Sequence, residues 1–163
     1  ELICATRNDA DLFNFGETKE LIENSKPDIM INAAAKVGGI YANSSKRTEF
    51  ILENLKINVN ILEASIPFPD MYIINLGSSC IYPLEADNPI KEESVMSGRL
   101  EPTNSPYAMA KLTSIELKIF EINCLSIFSV GKVKKWFLES LSITTSVLVM
   151  PKSKATFTIL IFI

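Results

Sequence analysis

Three short apolar runs, spaced apart by helix-patterned stretches, limit what this chain can fold into more than any other feature. Residues 1–6 (ELICAT), 28–34 (DIMINAA) and 71–76 (MYIINL) read as strands, and the second and third have the continuous apolar character of buried parallel strands. Residues 17–25 carry Leu21 and Ile22 as a helical stripe. Residues 47–65 carry a longer one, Phe50, Asn54, Ile57 and Ile61, with Ile51, Leu55 and Leu62 beside it. Lys26-Pro27 and Pro67-Phe68-Pro69 end the two helices, because a residue before proline disfavours the α region. A third helix is predicted to start at Ser105-Pro106-Tyr107, with Ser105 as N-cap, and to run to about Phe120. Strand–helix alternation of this kind predicts an α/β fold, a doubly wound parallel sheet with right-handed crossovers.

Composition narrows the function. Sixteen Lys and Arg against nineteen Asp and Glu leave a net charge of −3, the wrong sign for a nucleic-acid partner. No apolar run approaches the roughly 18 residues of a membrane span, so no membrane partner is expected. The three cysteines, Cys4, Cys80 and Cys124, are odd in number and lack paired spacing, which predicts a reducing, cytoplasmic setting without disulfides. Histidine is absent, so no residue of that type in this sequence can ligate a metal or act as a base, and no metal site is expected. Residues 83–104 read as a long surface loop of the kind that carries function. From about 118 the character changes. Residues 147–150 and 156–163 (TFTILIFI) look like strands, but 118–163 hold no chemical motif and are expected to be a tail of irregular structure beside a domain spanning 1–117.

Two short strings could carry chemistry. In Tyr107-Ala108-Met109-Ala110-Lys111 the phenol and the ammonium stand at i and i+4, on one face of a helix. An ammonium beside a phenol favours the phenolate and makes Tyr a general acid or base near neutrality. A surface helix with a solvated lysine would show the same spacing. Gly77-Ser78-Ser79-Cys80-Ile81-Tyr82-Pro83 follows the carboxyl end of a predicted strand, where open α/β sheets bind ligands. A serine there can donate to a carbonyl oxygen that gains charge during reduction. Cys80 can equally be a small buried apolar residue.

A strand ending in Ser-Ser followed by a Tyr-x-x-x-Lys helix resembles the extended short-chain dehydrogenase/reductase superfamily. Asn32-Ala33-Ala34-Ala35-Lys36-Val37-Gly38-Gly39-Ile40, Leu76 to Pro83, and Leu100-Glu101-Pro102-Thr103-Asn104-Ser105-Pro106-Tyr107 to Lys111 resemble, within it, the GDP-L-fucose synthase family, over residues 1 to about 117. The resemblance implies a Rossmann-like fold and NADPH-dependent epimerisation and reduction of GDP-4-keto-6-deoxy-D-mannose. It implies that Tyr107 protonates the C4 oxygen of the keto sugar, that Lys111 holds the nicotinamide ribose and lowers the Tyr107 pKa, and that Ser78 bonds the same oxygen. By the same resemblance Cys80 moves the protons at C3 and C5, next to the carbonyl that acidifies them. For NADP(H) it implies Arg7 and the neighbouring Asn8 at the 2′-phosphate side, Asp11 and Leu12 beside the adenine, and Leu76, Gly77, Ser78 and Ser79 along the nicotinamide. Lys36, Gly38 and Gly39 are expected to shape the sugar-side loop. The substrate partner is a GDP-sugar, and the intact enzyme is expected to be a homodimer paired through helices that include the Tyr-x-x-x-Lys helix.

Two departures stand beside the resemblance. The family's glycine-rich phosphate turn follows its first strand, whereas this sequence starts, without Met, at what reads as the second strand; a true start upstream is expected. The family's active-site histidine lies beyond the Tyr-x-x-x-Lys helix, where this sequence has none and a frameshifted or mis-spliced tail is expected. Two other functions therefore stay open: a non-catalytic dinucleotide-fold module, and another NAD-dependent nucleotide-sugar epimerase or dehydratase.

Overall fold

The computed structural model describes residues 1–117, 124–127 and 158–162. Its centre is a five-stranded sheet, parallel throughout, formed by β1 (Leu2–Ala5), β2 (Ile29–Asn32), β3 (Tyr72–Leu76), β4 (Cys124–Ile127) and β5 (Ile159–Phe162). The spatial order is β1-β5-β2-β3-β4. The last strand of the sequence thus lies between the first two. It falls within the apolar run 156–163, and it occupies an inner position rather than a sheet edge. The expected strand at 147–150 lies outside the described residues.

Among the described residues four α-helices connect these strands: α1 (Phe15–Ser25), α2 (Ile40–Ser45), α3 (Arg47–Ser65) and α4 (Ser105–Glu116). The steps β1→β2, β2→β3 and β3→β4 all advance in one direction across the sheet. Right-handed crossovers then put their helices on one face, and α1 packs on α3 and α3 on α4. Burial in β3 consequently alternates: Ile73 and Asn75 are buried, whereas Tyr72, Ile74 and Leu76 are half-buried. The strand was expected to be buried on both faces. The covered face holds Met30, Ile73, Leu160 and Phe162 against Ile22 of α1 and Ile57, Ile61 and Leu62 of α3.

Local chemistry sets the helix ends. Asn14 caps α1 by accepting from Gly16 N at 2.9 Å, and Glu17 reaches back to Asn14 Nδ2 and to Asp11 N. The helix therefore starts two residues before the periodicity indicated. Ser105 is the first residue of α4 rather than its cap; Asn104 holds the cap position without a side-chain bond into the helix, and α4 stops at Glu116. The short helix α2 was not expected, since the Gly38-Gly39 pair leading into it reads as loop.

Candidate active site

Polar residues interrupt the covered face at the carboxyl ends of the strands. Asn32 and Asn75 pair across β2 and β3 and are both 1% exposed. Asn32 Nδ2 donates to Asn75 Oδ1 at 2.7 Å and to Asn58 Oδ1 of α3 at 3.3 Å. Asn75 Nδ2 donates to Ser114 Oγ, which donates to Lys111 O inside α4. One turn back along α3, Asn54 accepts from Lys36 N at 3.0 Å and donates to Lys36 O and Phe50 O. An unpaired buried amide is expensive, so this ladder fixes α3, α4 and the chain after β2 relative to each other. Sequence reading noticed Asn54 only as a member of an apolar stripe. The i, i+4 spacing of Asn54 and Asn58 was the available signal.

The loop after β2 is held close to α3. A Cβ on Gly38 would stand 2.8 Å from Cζ of the buried Phe50, so any larger residue has to displace that ring. Asn43 Nδ2 donates to the carbonyls of both Gly38 and Gly39. Lys36 is ion-paired with Glu53 at 3.2 Å. This loop, Cys80, Asn104 and Tyr107 enclose a cavity of about 320 Å³. Tyr107 and Cys80, widely separated in the sequence, therefore share one concavity at the carboxyl edge of the sheet.

Ser78 ends the extended chain after β3 and caps the turn Ser79–Ile81 by accepting from Cys80 N. Its hydroxyl lies near enough to Tyr107 to bear on the acidity of the phenol. Behind Tyr107, Lys111 is 2% exposed, donates through Nζ to Leu76 O at 2.9 Å, and lies 5.9 Å from the Tyr107 ring centre. Ser78, Tyr107, Cys80 and Lys111 are thus one cluster. Its electrostatics differ from expectation. Burial pushes the Tyr107 phenol above its ordinary value, the Ser78 hydroxyl pulls it partly back, and the neighbouring Cys80 pushes it up again. Tyr107 is not brought toward neutrality, because burial and the neighbouring Cys80 dominate its shift, and burial also lowers the pKa of Lys111 to about 8. Burial thus shifts both groups in the direction of their uncharged forms, while Lys111 still carries its proton below about 8.

A second cavity, about 190 Å³, opens between the ends of β1, β5 and β2. Arg7, Asp11 and Leu12 line it, with Ala34 and Ala35 from the loop after β2 and Phe162 from β5. Arg7 is exposed and makes no ion pair among the described residues. Asp9 folds the preceding turn by accepting from Thr6 N and Thr6 Oγ1, both at 2.8 Å, and the Asp9 carboxyl is held below its ordinary value by those bonds. Asp11 Oδ1 accepts from Phe13 N. Asn8 is exposed on the Thr6–Asp9 turn and does not line the cavity. Leu76, Gly77, Ser78 and the exposed Ser79 line neither cavity; they occupy the end of β3 and the turn that follows it. No group of three or more acidic or cysteine side chains among the described residues could hold a metal, and no described helix is long and apolar enough to cross a membrane.

Comparison with known proteins follows the same boundaries. The chain is 44% identical to the GDP-L-fucose synthase of Sinorhizobium fredii over 117 residues, 72% of this chain and 37% of that protein. It is 37% identical to the GDP-L-colitose synthase of Yersinia pseudotuberculosis over 117 residues, 72% of this chain and 38% of that protein. Among solved structures it superposes on a GDP-D-glycero-L-gluco-heptose synthase from Campylobacter jejuni, crystallised in the presence of NADPH. The TM-score is 0.69 and the identity 28%, covering 76% of this chain and 38% of that one. The chain therefore spans less than two fifths of the length of these curated relatives. Residues 2–119 match the NAD dependent epimerase/dehydratase family, and they contain the Tyr107 cluster and every lining residue of the two cavities except Phe162; the chain belongs to that family.

Proposed function

We propose that this chain is part of an NADPH-dependent enzyme that epimerises and reduces GDP-4-keto-6-deoxy-D-mannose to GDP-L-fucose. The observation that carries the reading is the shared cavity of Tyr107 and Cys80, backed by Ser78 and Lys111. In that cavity the Cys80 thiolate takes a proton from C3 or C5, carbons whose hydrogens are acidified by the C4 carbonyl, and inversion is completed by a separate acid on the opposite face, which the longer protein would supply. Ser78 and Tyr107 donate to the C4 oxygen, and Tyr107, kept protonated by burial, gives up its proton as that oxygen becomes negative. Lys111 replaces part of the lost charge balance from its seat against Leu76 O.

Bound NADPH supplies the hydride. Arg7, Asp11 and Leu12, which line the second cavity, would hold its adenosine end, and the guanidinium of Arg7 would suit a 2′-phosphate. The longer protein is a homodimer on this reading. The outward faces of α3 and α4 carry the exposed apolar residues Leu52, Val59 and Met109. The test is NADPH oxidation by the longer protein with the keto sugar nucleotide. Tyr107→Phe lowers kcat by about 10²–10⁴-fold. Cys80→Ser stops solvent deuterium entering C3 and C5. Full activity in Tyr107→Phe overturns the reading.

One observation supports a second reading for this polypeptide by itself. Phe162, 2% exposed, presents a large ring at the end of an inner strand, where a diphosphate needs close approach of backbone. On that reading the chain is a dinucleotide-fold module without turnover. Calorimetry with NADP(H) separates the two, since micromolar binding contradicts a ligand-free role.

A further inference from the structure

Cys80 does not face the cavity alone. Asn104 Nδ2 lies 3.3 Å from Cys80 Sγ, and Asn104 Oδ1 is buried without a partner. Asn43, 6% exposed and lining the same cavity, also leaves Oδ1 unpartnered while both its amide hydrogens go to Gly38 and Gly39. Orphaned buried acceptors are rare enough to need an explanation, and two around one cavity point to a ligand that brings donors. Asn104 is also held firmly. Its backbone N–H donates to Glu101 Oε2 at 3.1 Å. Arg47, at the start of α3, donates to Pro102 O at 2.7 Å and Ser105 Oγ at 3.0 Å on either side of it. A residue that starts a helix without capping it, yet is braced from three directions, has its side chain committed elsewhere.

We propose that Asn104 is a positioning residue for Cys80, its amide N–H holding the thiolate over the cavity while its Oδ1, with that of Asn43, accepts hydroxyl groups of a bound sugar. The proposal rests on the reading of Cys80 as the proton-transfer base. An amide donor stabilises a thiolate without a formal positive charge and fixes the direction in which its lone pair points. The ionisable groups around Cys80 are Tyr107 in the same cavity, and Glu101 and Arg47 beneath the Asn104 backbone.

The test needs neither substrate nor cofactor. In the full chain with Cys4 and Cys124 replaced by Ser, the rate of Cys80 alkylation by iodoacetamide is followed against pH. Asn104→Ala raises the midpoint of that profile, lowering the rate near neutrality by about fivefold through loss of one donor. Asn104→Asp raises it further, because a carboxylate cannot donate and repels a thiolate. Unchanged midpoints in both variants, or equal shifts in the two, overturn the proposal. If circular dichroism shows that Asn104→Ala unfolds, Asn104→Asp alone decides by the same rise or its absence. In the longer protein Asn104→Ala slows deuterium exchange into the keto sugar and raises KM. A longer protein that oxidises no NADPH, with the alkylation shift intact, removes the functional reading and leaves the Asn104–Cys80 contact standing.

Discussion

The two cavities at the carboxyl edge of the sheet are built in opposite ways. The one holding Tyr107 and Cys80 is framed by buried amides: Asn32, Asn54, Asn58 and Asn75 tie α3, α4 and two strands together behind it. The one holding Arg7 is framed by an exposed turn whose bonds run between Thr6 and Asp9, with Asp11, Leu12 and a strand from the far end of the sequence completing it. Low dielectric strengthens a satisfied buried hydrogen bond and penalises a broken one. The polar frame of the first cavity is therefore coupled to the stability of the fold, whereas in the second it is the apolar floor of Ile57 and Phe162 that is coupled and the exposed Arg7 turn that is not. On the proposed reading the difference is physical: proton transfer needs fixed distances, whereas recognition of an anion needs a reachable charge.

That contrast can be broken by mutation. Asn54→Ala strands Lys36 N and Lys36 O together and costs about 3–4 kcal/mol in urea unfolding of the chain. Asn58, whose Nδ2 donates to Asn54 O at 2.7 Å, then loses part of its own support. A loss under about 1 kcal/mol places the ladder outside the energetics and ends the comparison.

Lys111 sharpens it through pH. Below about 8 the folded and unfolded chains both carry the ammonium and stability is flat in pH. Between about 8 and 10.5 the unfolded chain keeps a proton that the folded chain has lost, so stability rises. The rise amounts to about 3 kcal/mol and disappears in Lys111→Met. Tyr107 opposes it above its ordinary value of 10.0, where the folded chain retains a proton that the unfolded chain loses. Identical slopes in the native chain and Lys111→Met remove the buried-amine account.

Gly38→Ala is expected to cost about 1–2 kcal/mol, since its Cβ meets Phe50 Cζ and Ala42 Cβ at 2.8 and 3.2 Å. Phe50→Leu in the same chain recovers part of that loss, and strict additivity of the two changes argues against the contact. The smallest effect belongs to the other cavity. Arg7→Ala changes stability by under about 0.5 kcal/mol and reduces discrimination between NADP(H) and NAD(H) in the longer protein by about tenfold. A stability loss matching that of Asn54→Ala erases the distinction between the two sites.

The legible part of this molecule was local. Periodicity placed α1, α3, α4 and the runs that become β1, β2, β3 and β5, because apolar spacing reports which face of an element is covered. It missed α2, whose few residues follow a pair of glycines, and β4, which lies in the segment expected to be an irregular tail, and it misplaced the cap of α4 by one residue, since a serine before proline satisfies the same pattern as first helical residue or as cap. Tyr107 and Lys111 were readable as one face of a helix, and Ser78 and Cys80 as the residues following a strand.

The sequence by itself determined which elements form and which side chains stand at their ends, because backbone propensity and i, i+4 spacing act over a few residues. Tertiary structure alone decided three matters. It put the final strand between the first two, a choice among equally apolar neighbours that no local pattern encodes. It joined four asparagines from β2, α3 and β3 into one buried ladder. It also set the proton affinities of Tyr107 and Lys111, since desolvation depends on what is packed around a group and outweighed the mutual attraction that their spacing suggests.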